Sequence, residues 1–344
     1  MDKPEAVRVG VVGCGNHGGA LAQAVVRSDT LRLVACADPD PAAVRRAAGL
    51  SDAVSAYASL EALLDASDVD AVLIATPHEV LAPLALSAIR AGKHLLIEKP
   101  MAMDEPQGKE VEFAAASAGV TCMVGYSFRY GMARYVHELL SQGAVGDFSV
   151  IIGSIGTPPM NTRWIAEPDS GGGPLKFVGC HLIDLALWFT GEEPASVWAN
   201  VRYRPDTGAD DTSAIYLDFS SGRVAQFCVT QSAAGFFYDL QVIGEAGSIA
   251  LRGRNFVQFE IEVQSSAVAP YREPTIIRPA MQRDHITTML MPELAEFADA
   301  IERRRAPAIT ASDGRRVLRV LDAVAASGRG HQVVALGAPI LTAY

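Results

Sequence analysis

A glycine-rich turn near the N-terminus constrains the fold of this chain more than any other feature. Gly13, Gly15 and Gly18 follow the apolar run of residues 7–12, and a helical pattern of apolar residues comes next. This spacing predicts a strand, a tight turn and a helix N-terminus. Gly13 permits the turn, Gly15 lets the backbone approach a pyrophosphate, and Gly18 lets the helix pack against the strand. A purely structural turn would also favour glycine, so the motif needs support from elsewhere in the chain.

The second strand gives that support. Residues 31–37 are largely apolar and lead into Asp38, twenty residues after Gly18, where a dinucleotide site needs a carboxylate for the ribose hydroxyls. A carboxylate there also repels a 2′-phosphate, which favours NAD over NADP, and we expect Arg45 and Arg46 to be surface residues. The predicted nucleotide site of this turn and strand end consists of Gly13, Gly15, Asn16, His17, Gly18 and Asp38.

Strand-like and helical segments alternate from residue 7 to about residue 125. This alternation predicts an α/β fold, a Rossmann doubly wound parallel sheet covered by helices on both faces. After about residue 145, strand-like runs follow one another with few helices between them, which predicts an α+β domain with a large, mostly antiparallel, open-faced sheet. We expect a dinucleotide-binding Rossmann domain at 1–125 and a substrate-binding and oligomerisation domain at 126–344, with the final helices as candidates to pack back on the first.

Composition argues against several classes of protein. The formal net charge is −10 without a basic tract, which disfavours nucleic-acid binding. No apolar run approaches the roughly 18 residues that span a bilayer, and the N-terminus lacks the pattern of a signal peptide. The five cysteines are scattered through apolar runs, as expected of buried reduced thiols. We expect a cytoplasmic protein that uses no metal, membrane or nucleic acid.

A second motif, Glu98-Lys99-Pro100, closes the apolar run of residues 94–97. In a doubly wound sheet the carboxyl end of a strand points into the ligand crevice. Lys99 is therefore placed to meet the nicotinamide end of a cofactor, and we assign Glu98 and Lys99 to the cofactor site.

With these motifs, the chain resembles the glucose-fructose oxidoreductase / inositol dehydrogenase / rhizopine catabolism family (Gfo/Idh/MocA) over almost its whole length. The segments that also carry the resemblance are Ala75-Thr76-Pro77, Gly125-Tyr126, Arg129-Tyr130, the run from Gly171 to Asp184, and Gly244-Glu-Ala-Gly247. The resemblance implies that Lys99 positions the substrate and takes part in proton transfer, and that His181 is the acid/base. It also implies that Thr76 and Pro77 belong to the cofactor site. We assign the adjacent His78 to that site as well, with an exposed loop position as the alternative.

The chemistry of alcohol oxidation agrees with these two roles. Oxidation of a secondary alcohol requires a base that removes the hydroxyl proton and a cofactor that accepts the hydride from carbon. Histidine exchanges protons near neutral pH, and a cationic nicotinamide would lower the pKa of a nearby lysine. We therefore predict that Lys99 and His181 are catalytic, with structural packing as the alternative for His181.

Aromatic and guanidinium side chains suit a polyhydroxylated ring, because the apolar face of the ring stacks while its hydroxyls form hydrogen bonds. The alternatives left open are a core position for Trp164, an exposed one for Lys176 and a structural role for Asp184. The predicted substrate-binding residues are Lys99, Tyr126, Arg129, Arg163, Trp164, Lys176, His181 and Asp184.

These residues predict an NAD(P)-dependent dehydrogenase or reductase acting on CH–OH groups. NAD is the expected cofactor and NADP the less favoured one, and the substrate is a secondary alcohol or ketone of a sugar, sugar acid or cyclitol. The family often has an aspartate four residues before the histidine, where this chain has Phe177. That departure keeps two alternatives open. One is a non-catalytic NAD-binding sensor or regulator, and the other is an NAD-retaining enzyme that uses transient oxidation for elimination or glycoside cleavage.

The sheet of the second domain also predicts self-association. Tyr216, Phe219, Phe227 and Val229 exceed what a lone solvated sheet face needs. Members of the resembled family commonly pair through this face, which implies a homodimer or homotetramer.

Overall fold

The structure is a computed structural model that describes residues 6–159, 162–254, 258–279 and 284–337. The chain divides into two compact units. The first comprises the described residues of 1–130 and 283–315, and the second those of 131–282 and 316–344. The domain boundaries derived from the sequence stay a prediction.

The first unit contains a six-stranded sheet in the order β3-β2-β1-β4-β5-β6, and every neighbouring pair is parallel. This is the strand order of a Rossmann fold, so the predicted doubly wound sheet is confirmed. The strands are β1 (Val7–Val12), β2 (Leu31–Ala37), β3 (Ser55–Tyr57), β4 (Ala71–Ile74), β5 (His94–Glu98) and β6 (Cys122–Gly125). The helices between them are α1 (Asn16–Val26), α2 (Pro41–Ala48), α3 (Leu60–Ala66), α4 (His78–Arg90) and α5 (Glu105–Ala118).

Local sequence explains where several of these elements begin. The central strand β4 is buried throughout, as expected of a strand covered on both faces. Asp40, Ser59 and Asp104 accept hydrogen bonds from backbone N–H groups in the first turns of α2, α3 and α5. These N-caps satisfy donors that a helix start otherwise leaves unpaired.

The second unit contains a nine-stranded sheet in the order β14-β13-β12-β11-β7-β10-β9-β8-β15. Its pairs are antiparallel except for β7 with β10, which confirms the predicted mostly antiparallel sheet. The strands are β7 (Phe148–Gly156), β8 (Pro194–Tyr203), β9 (Asp210–Phe219), β10 (Val224–Thr230), β11 (Phe237–Gly244), β12 (Gly247–Gly253), β13 (Phe259–Ser265), β14 (Thr275–Ile277) and β15 (Val334–Ala335). The remaining helices are α6 (Met132–Ser141), α7 (Arg163–Ala166), α8 (Cys180–Thr190), α9 (Met291–Glu302), which belongs to the first unit, and α10 (Ala311–Gly330).

Helices cover one face of this second sheet. A Cβ atom at Gly153 of β7 would lie 3.0 Å from the Leu182 side chain of α8. On β8, the N–H of Ala199 donates to Ser327 Oγ of α10 over 2.8 Å. The opposite face is open and carries exposed Trp198 and Ile152.

The expectation that all five cysteines are buried is wrong for Cys228. Burial alternates along β10, and Cys228 falls on an outward position between buried Phe227 and Val229. The other four cysteines are buried.

None of the helices in the described ranges is long and apolar enough to cross a membrane. Within the same ranges, no group of three or more His, Cys, Asp or Glu residues is arranged to hold a metal ion.

Two neighbouring glycines of α1 give a matched test of the glycine turn. A Cβ atom at Gly18 would lie 1.7 Å from Gly13 O, whereas one at Gly19 would have its nearest neighbour, Cys14 O, 4.0 Å away. We expect Gly18→Ala to lower the free energy of unfolding by about 1–3 kcal/mol, as overpacking does. Gly19→Ala should leave it unchanged or raise it by roughly 0.5–1 kcal/mol, since alanine favours the helix. Urea denaturation measures both, and equal effects would contradict this packing.

Candidate active site

The glycine turn joins β1 to α1 and has one side open. Gly13 has a φ of +84°, and a Cβ there would lie 2.4 Å from Ala75 O. Nothing lies within 4 Å of a Cβ built at Gly15. No side chain caps α1, and its first turn, which includes Asn16 and His17, holds no acidic residue. Such a helix N-terminus suits an anionic group, so these residues fit a dinucleotide pyrophosphate.

Asp38 links the glycine turn to the end of β2. Its Oδ2 accepts a hydrogen bond from Cys14 N over 2.6 Å, and its Oδ1 accepts one from Asp40 N over 2.8 Å. An ionised carboxylate accepts about four hydrogen bonds, so capacity remains for ribose hydroxyls. The carboxylate therefore fits the predicted ribose contact.

The segment after β4 approaches the same turn. A Cβ at Gly13 would lie 2.8 Å from the methyl carbon of Thr76, whose buried hydroxyl oxygen has no hydrogen-bond partner. A buried unpaired hydroxyl suits a polar ligand, since such groups are normally satisfied. Pro77 precedes α4, and His78 is the first residue of that helix and only 2% exposed. The alternative of an exposed loop position for His78 is therefore wrong.

Glu98 is buried at the carboxyl end of β5 and pairs with the glycine turn. His17 Nε2 lies 2.7 Å from Glu98 Oε1, and Lys99 N donates to Glu98 Oε2 over 3.3 Å. Burial tends to raise the pKa of Glu98, but the charge and hydrogen bond of His17, with Lys99, more than offset it and hold that pKa below its usual value. Gly125 makes room for this carboxylate, because a Cβ there would lie 2.8 Å from Glu98 Oε1. The Lys99–Pro100 peptide bond is cis.

Three predicted substrate groups of the first unit lie just beyond these strands. Tyr126 follows β6 and is fully buried, and Arg129, only 7% exposed, ends a 3₁₀ turn over Ser127–Arg129. Lys99 is half-buried at the end of β5. The first unit thus brings the glycine turn, Asp38 and Glu98 together through hydrogen bonds, and Tyr126 and Arg129 follow β6 in the chain.

In the second unit, a π-helical turn over Leu175–Gly179 leads directly into α8. His181 is the second residue of α8 and 4% exposed, and Asp184 lies one turn later with no exposed surface. Burial and the charge of Asp184 raise the pKa of Tyr238 on β11. The carboxylate of Asp184 therefore faces the inside of this unit, near the Tyr238 hydroxyl.

The predicted residues around the triple glycine differ in exposure. Trp164 is half-buried, and its ring contacts the Phe177 ring edge-on at 6.2 Å. Lys176 is also half-buried, with its aliphatic chain over Gly172. Arg163 is 91% exposed in its side chain and pairs with Glu167 over 2.6 Å, so it does not join the buried residues of this unit.

Asp210 is a residue of this region that the sequence analysis missed. Its Oδ2 accepts a hydrogen bond from Leu175 N over 3.0 Å, and its Oδ1 would lie 2.1 Å from a Cβ at Gly173. Burial raises the pKa of Asp210 to about 7, although the Leu175 hydrogen bond and the Lys176 charge oppose the shift. The carboxyl thus supports the turn that carries Lys176, close to the position where Phe177 replaces the aspartate of the resembled family. The only sequence signal was an acidic pair opening a strand, and this does not reveal a long-range contact.

Two families match almost adjacent parts of the chain. Residues 7–126 match the oxidoreductase family with an NAD-binding Rossmann fold, and residues 133–250 match the GFO/IDH/MocA C-terminal domain. The Rossmann unit described above is therefore an NAD-binding one.

Named relatives and a solved structure agree with these matches. Inositol 2-dehydrogenase of Rhizobium meliloti is 29% identical over 339 residues, which cover 93% of this chain and 96% of the relative. 1,5-Anhydro-D-fructose reductase of Ensifer adhaerens is 29% identical over 263 residues, 74% of this chain and 76% of the relative. The structure of levoglucosan dehydrogenase in complex with NADH shares the fold, with a TM-score of 0.86, 22% identity and coverage of 97% and 100% of the two chains.

The raised pKa of Asp210 makes folding stability depend on pH. The folded-state pKa of about 7 exceeds the ordinary 3.8, so the folded chain holds this proton more tightly than the unfolded chain. The resulting stabilisation is complete below about pH 4 and is lost as the pH rises through about 7. Asparagine keeps an acceptor for Leu175 N and carries no charge. Relative to the wild type, Asp210→Asn should therefore gain at least about 1 kcal/mol between these pH values.

Urea denaturation across this pH range measures the difference. Asp218→Asn, at an exposed position on the same strand, is the control and should follow the wild type. A constant difference between Asp210→Asn and the wild type would contradict the assignment.

Proposed function

This chain belongs to the Gfo/Idh/MocA family of NAD-binding oxidoreductases, and we propose that it transfers hydride between NAD and a secondary alcohol or ketone of a sugar, sugar acid or cyclitol. The observation that carries the proposal is the position of Lys99. It directly follows β5 in the NAD-binding unit, next to a buried carboxylate that pairs with the glycine turn. The carboxyl ends of strands are where doubly wound sheets bind their ligands. The names of the inositol and anhydrofructose relatives support the substrate class.

We assign NAD rather than NADP as the working cofactor because of Asp38. Asp38 directly follows β2, and its carboxylate accepts hydrogen bonds from Cys14 N and Asp40 N. A negative group fixed in this way accepts bonds from ribose hydroxyls and repels a 2′-phosphate.

In this proposal Lys99 and His181 have different catalytic roles. Bound NAD supplies the hydride acceptor. The Lys99 ammonium polarises the reacting oxygen of the substrate, and His181, buried in α8, removes or returns the hydroxyl proton. Tyr126, Arg129 and Lys176 are the proposed contacts to the remaining hydroxyls.

Trp164 and Asp184 complete the proposed substrate set. The half-buried Trp164 ring offers an apolar face for a sugar ring, as aromatic residues commonly do. Arg163 would contact the substrate only if the substrate replaced Glu167 as the partner of its guanidinium group.

A non-catalytic sensor is the second candidate, because Phe177 contacts Trp164 and brings no carboxylate to its position. An NAD-retaining enzyme that uses transient oxidation for elimination or glycoside cleavage is the third. Net accumulation of NADH during turnover separates the proposed activity from both.

Removal of the two proton-handling groups should affect turnover and spare cofactor binding. Lys99→Ala and His181→Ala should each lower kcat by about 10²-fold or more, the usual effect of losing a general acid or base. Exposed residues of the same types, tested as Lys109→Ala and His331→Asn, serve as controls and should keep wild-type turnover. Steady-state kinetics and NAD calorimetry measure the two properties. Near-normal kcat in either active-site variant would remove that residue from the mechanism.

We also propose that the protein is a homodimer or homotetramer that associates through the open face of the second sheet. Phe219, Phe227 and Val229 lie on the buried face, so the apolar surface available for pairing comes from other residues. Trp198 is 43% exposed, and it lies opposite Tyr216 on the neighbouring strand. A concavity of about 620 Å³ extends over this face and includes Ile152. Exposed apolar patches of this kind commonly mark interfaces.

Light scattering should therefore report two or four times the chain mass of 36.4 kDa at micromolar concentration. Trp198→Arg should shift the mass toward that of the monomer. Phe113→Arg changes an apolar residue that is 74% exposed on α5 of the first unit, and should not shift the mass. A wild-type monomer would contradict the proposal, as would a Trp198→Arg variant that stays associated.

A further inference from the structure

Glu293 is an acidic residue of the first unit that the proposed mechanism does not use. It lies on α9 with 0% of its surface exposed, and neither of its carboxyl oxygens has a hydrogen-bond partner. Burying an ionised carboxylate without partners costs several kcal/mol, so the neutral, protonated form is favoured. Buried polar groups are normally paired, and an unpaired carboxyl in a ligand-binding unit calls for a functional explanation.

The charged groups around Glu293 belong to the cofactor site. Glu98 and Lys99 at the end of β5 both act on it electrostatically, and His17 of α1 holds Glu98. His285 precedes the π-helical turn Ile286–Leu290 that leads into α9. It is also near His17, and burial together with the His17 charge lowers the pKa of His285. Asp284 beside it pairs with Arg27 at the far end of α1.

The two buried carboxyls of this cluster, Glu98 and Glu293, have pKa values shifted in opposite directions. The charge and hydrogen bond of His17 keep the pKa of Glu98 low. Burial and the Glu98 charge raise the pKa of Glu293 well above its ordinary value, with Lys99 opposing the shift. Because two nearby negative charges repel each other, ionised Glu98 disfavours the ionisation of Glu293. An additional positive charge close to Glu293 would offset this repulsion and favour its ionised form.

We propose that Glu293 is the counter-charge for the oxidised nicotinamide, protonated in the free protein and in the NADH complex and ionised when NAD⁺ binds. This inference rests on the proposed function only in placing the nicotinamide near the end of β5. The oxidised ring carries a positive charge that the reduced ring lacks. Binding of NAD⁺ to the protonated protein then gives the complex with ionised Glu293 and releases one proton to solvent, whereas binding of NADH releases none.

The proposal has a consequence for affinity. Because NAD⁺ binding releases a proton, its affinity should rise with pH until Glu293 ionises in the free protein. The affinity for NADH should not follow this trend. Glu293 thereby determines the affinity of the protein for NAD⁺ relative to NADH. It acts through its charge and takes no part in the transfer of hydride or of the substrate proton, so it is not a catalytic residue.

Calorimetry of the full-length protein in two buffers of different ionisation enthalpy tests the proposal without any substrate. The wild type should release close to one proton per site with NAD⁺ and close to none with NADH. Glu293→Gln should release none with either cofactor, and its affinity for NAD⁺ relative to NADH should fall about tenfold, the size of one charge interaction across several ångströms. Glu302→Gln, exposed at the other end of α9, is the control and should match the wild type.

Two results would overturn the proposal. One is proton release that persists in Glu293→Gln, because its source would then be Lys99 or His17. The other is the absence of proton release when NAD⁺ binds to the wild type at any pH at which the protein stays folded, because a carboxyl that becomes charged on binding must release its proton. The wild-type result stands even if Glu293→Gln fails to fold. Since none of these measurements requires turnover, a failure of the proposed sugar chemistry would appear separately.

Discussion

The close approach of β1, α1 and the end of β4 at the glycine turn is the constraint on which the first unit depends. Gly18 lies against the carbonyl of Gly13, and Gly13 lies against the carbonyl of Ala75, so no larger residue fits at either position. Asp38 then fastens the turn to β2 through Cys14 N, and His17 fastens it to β5 through Glu98. One turn therefore fixes the backbone N–H groups at the start of α1, the Asp38 carboxylate and the end of β5, which Lys99 follows.

In the second unit, a buried carboxyl holds the turn that leads into α8. Asp210 extends from β9 to the N–H of Leu175 and fills the space that Gly173 leaves. This contact supports the turn that leads through Lys176 and Phe177 into His181. The same principle recurs at Glu98 and Glu293. In each case burial and a few neighbouring charged or hydrogen-bonding groups together determine the pKa of the carboxyl.

Sequence reasoning predicted the parts of this fold that local patterns determine. The turn after β1, the apolar strands β1 and β5 and the alternation of strands and helices in the first unit follow from periodicity and turn chemistry. Local patterns do not predict the strands β3, β14 and β15, because these strands are two or three residues long and lack a full apolar run. Asp210 and Glu293 were missed for another reason. Their significance comes from burial against residues far away in the chain, and no local pattern encodes that contact. The site assignments of Lys99 and His181 remain proposals for the same reason.

The most direct test of the central claim combines binding with cofactor reduction. The NAD-loaded protein is titrated with sugars, sugar acids and cyclitols by calorimetry, and the absorbance of NADH is followed with each compound that binds. With free NAD in excess, a secondary alcohol that binds saturably should form NADH over multiple turnovers, one NADH for each alcohol converted to a ketone. The absence of net NADH formation with every secondary alcohol that saturates the NAD-loaded protein would contradict hydride transfer.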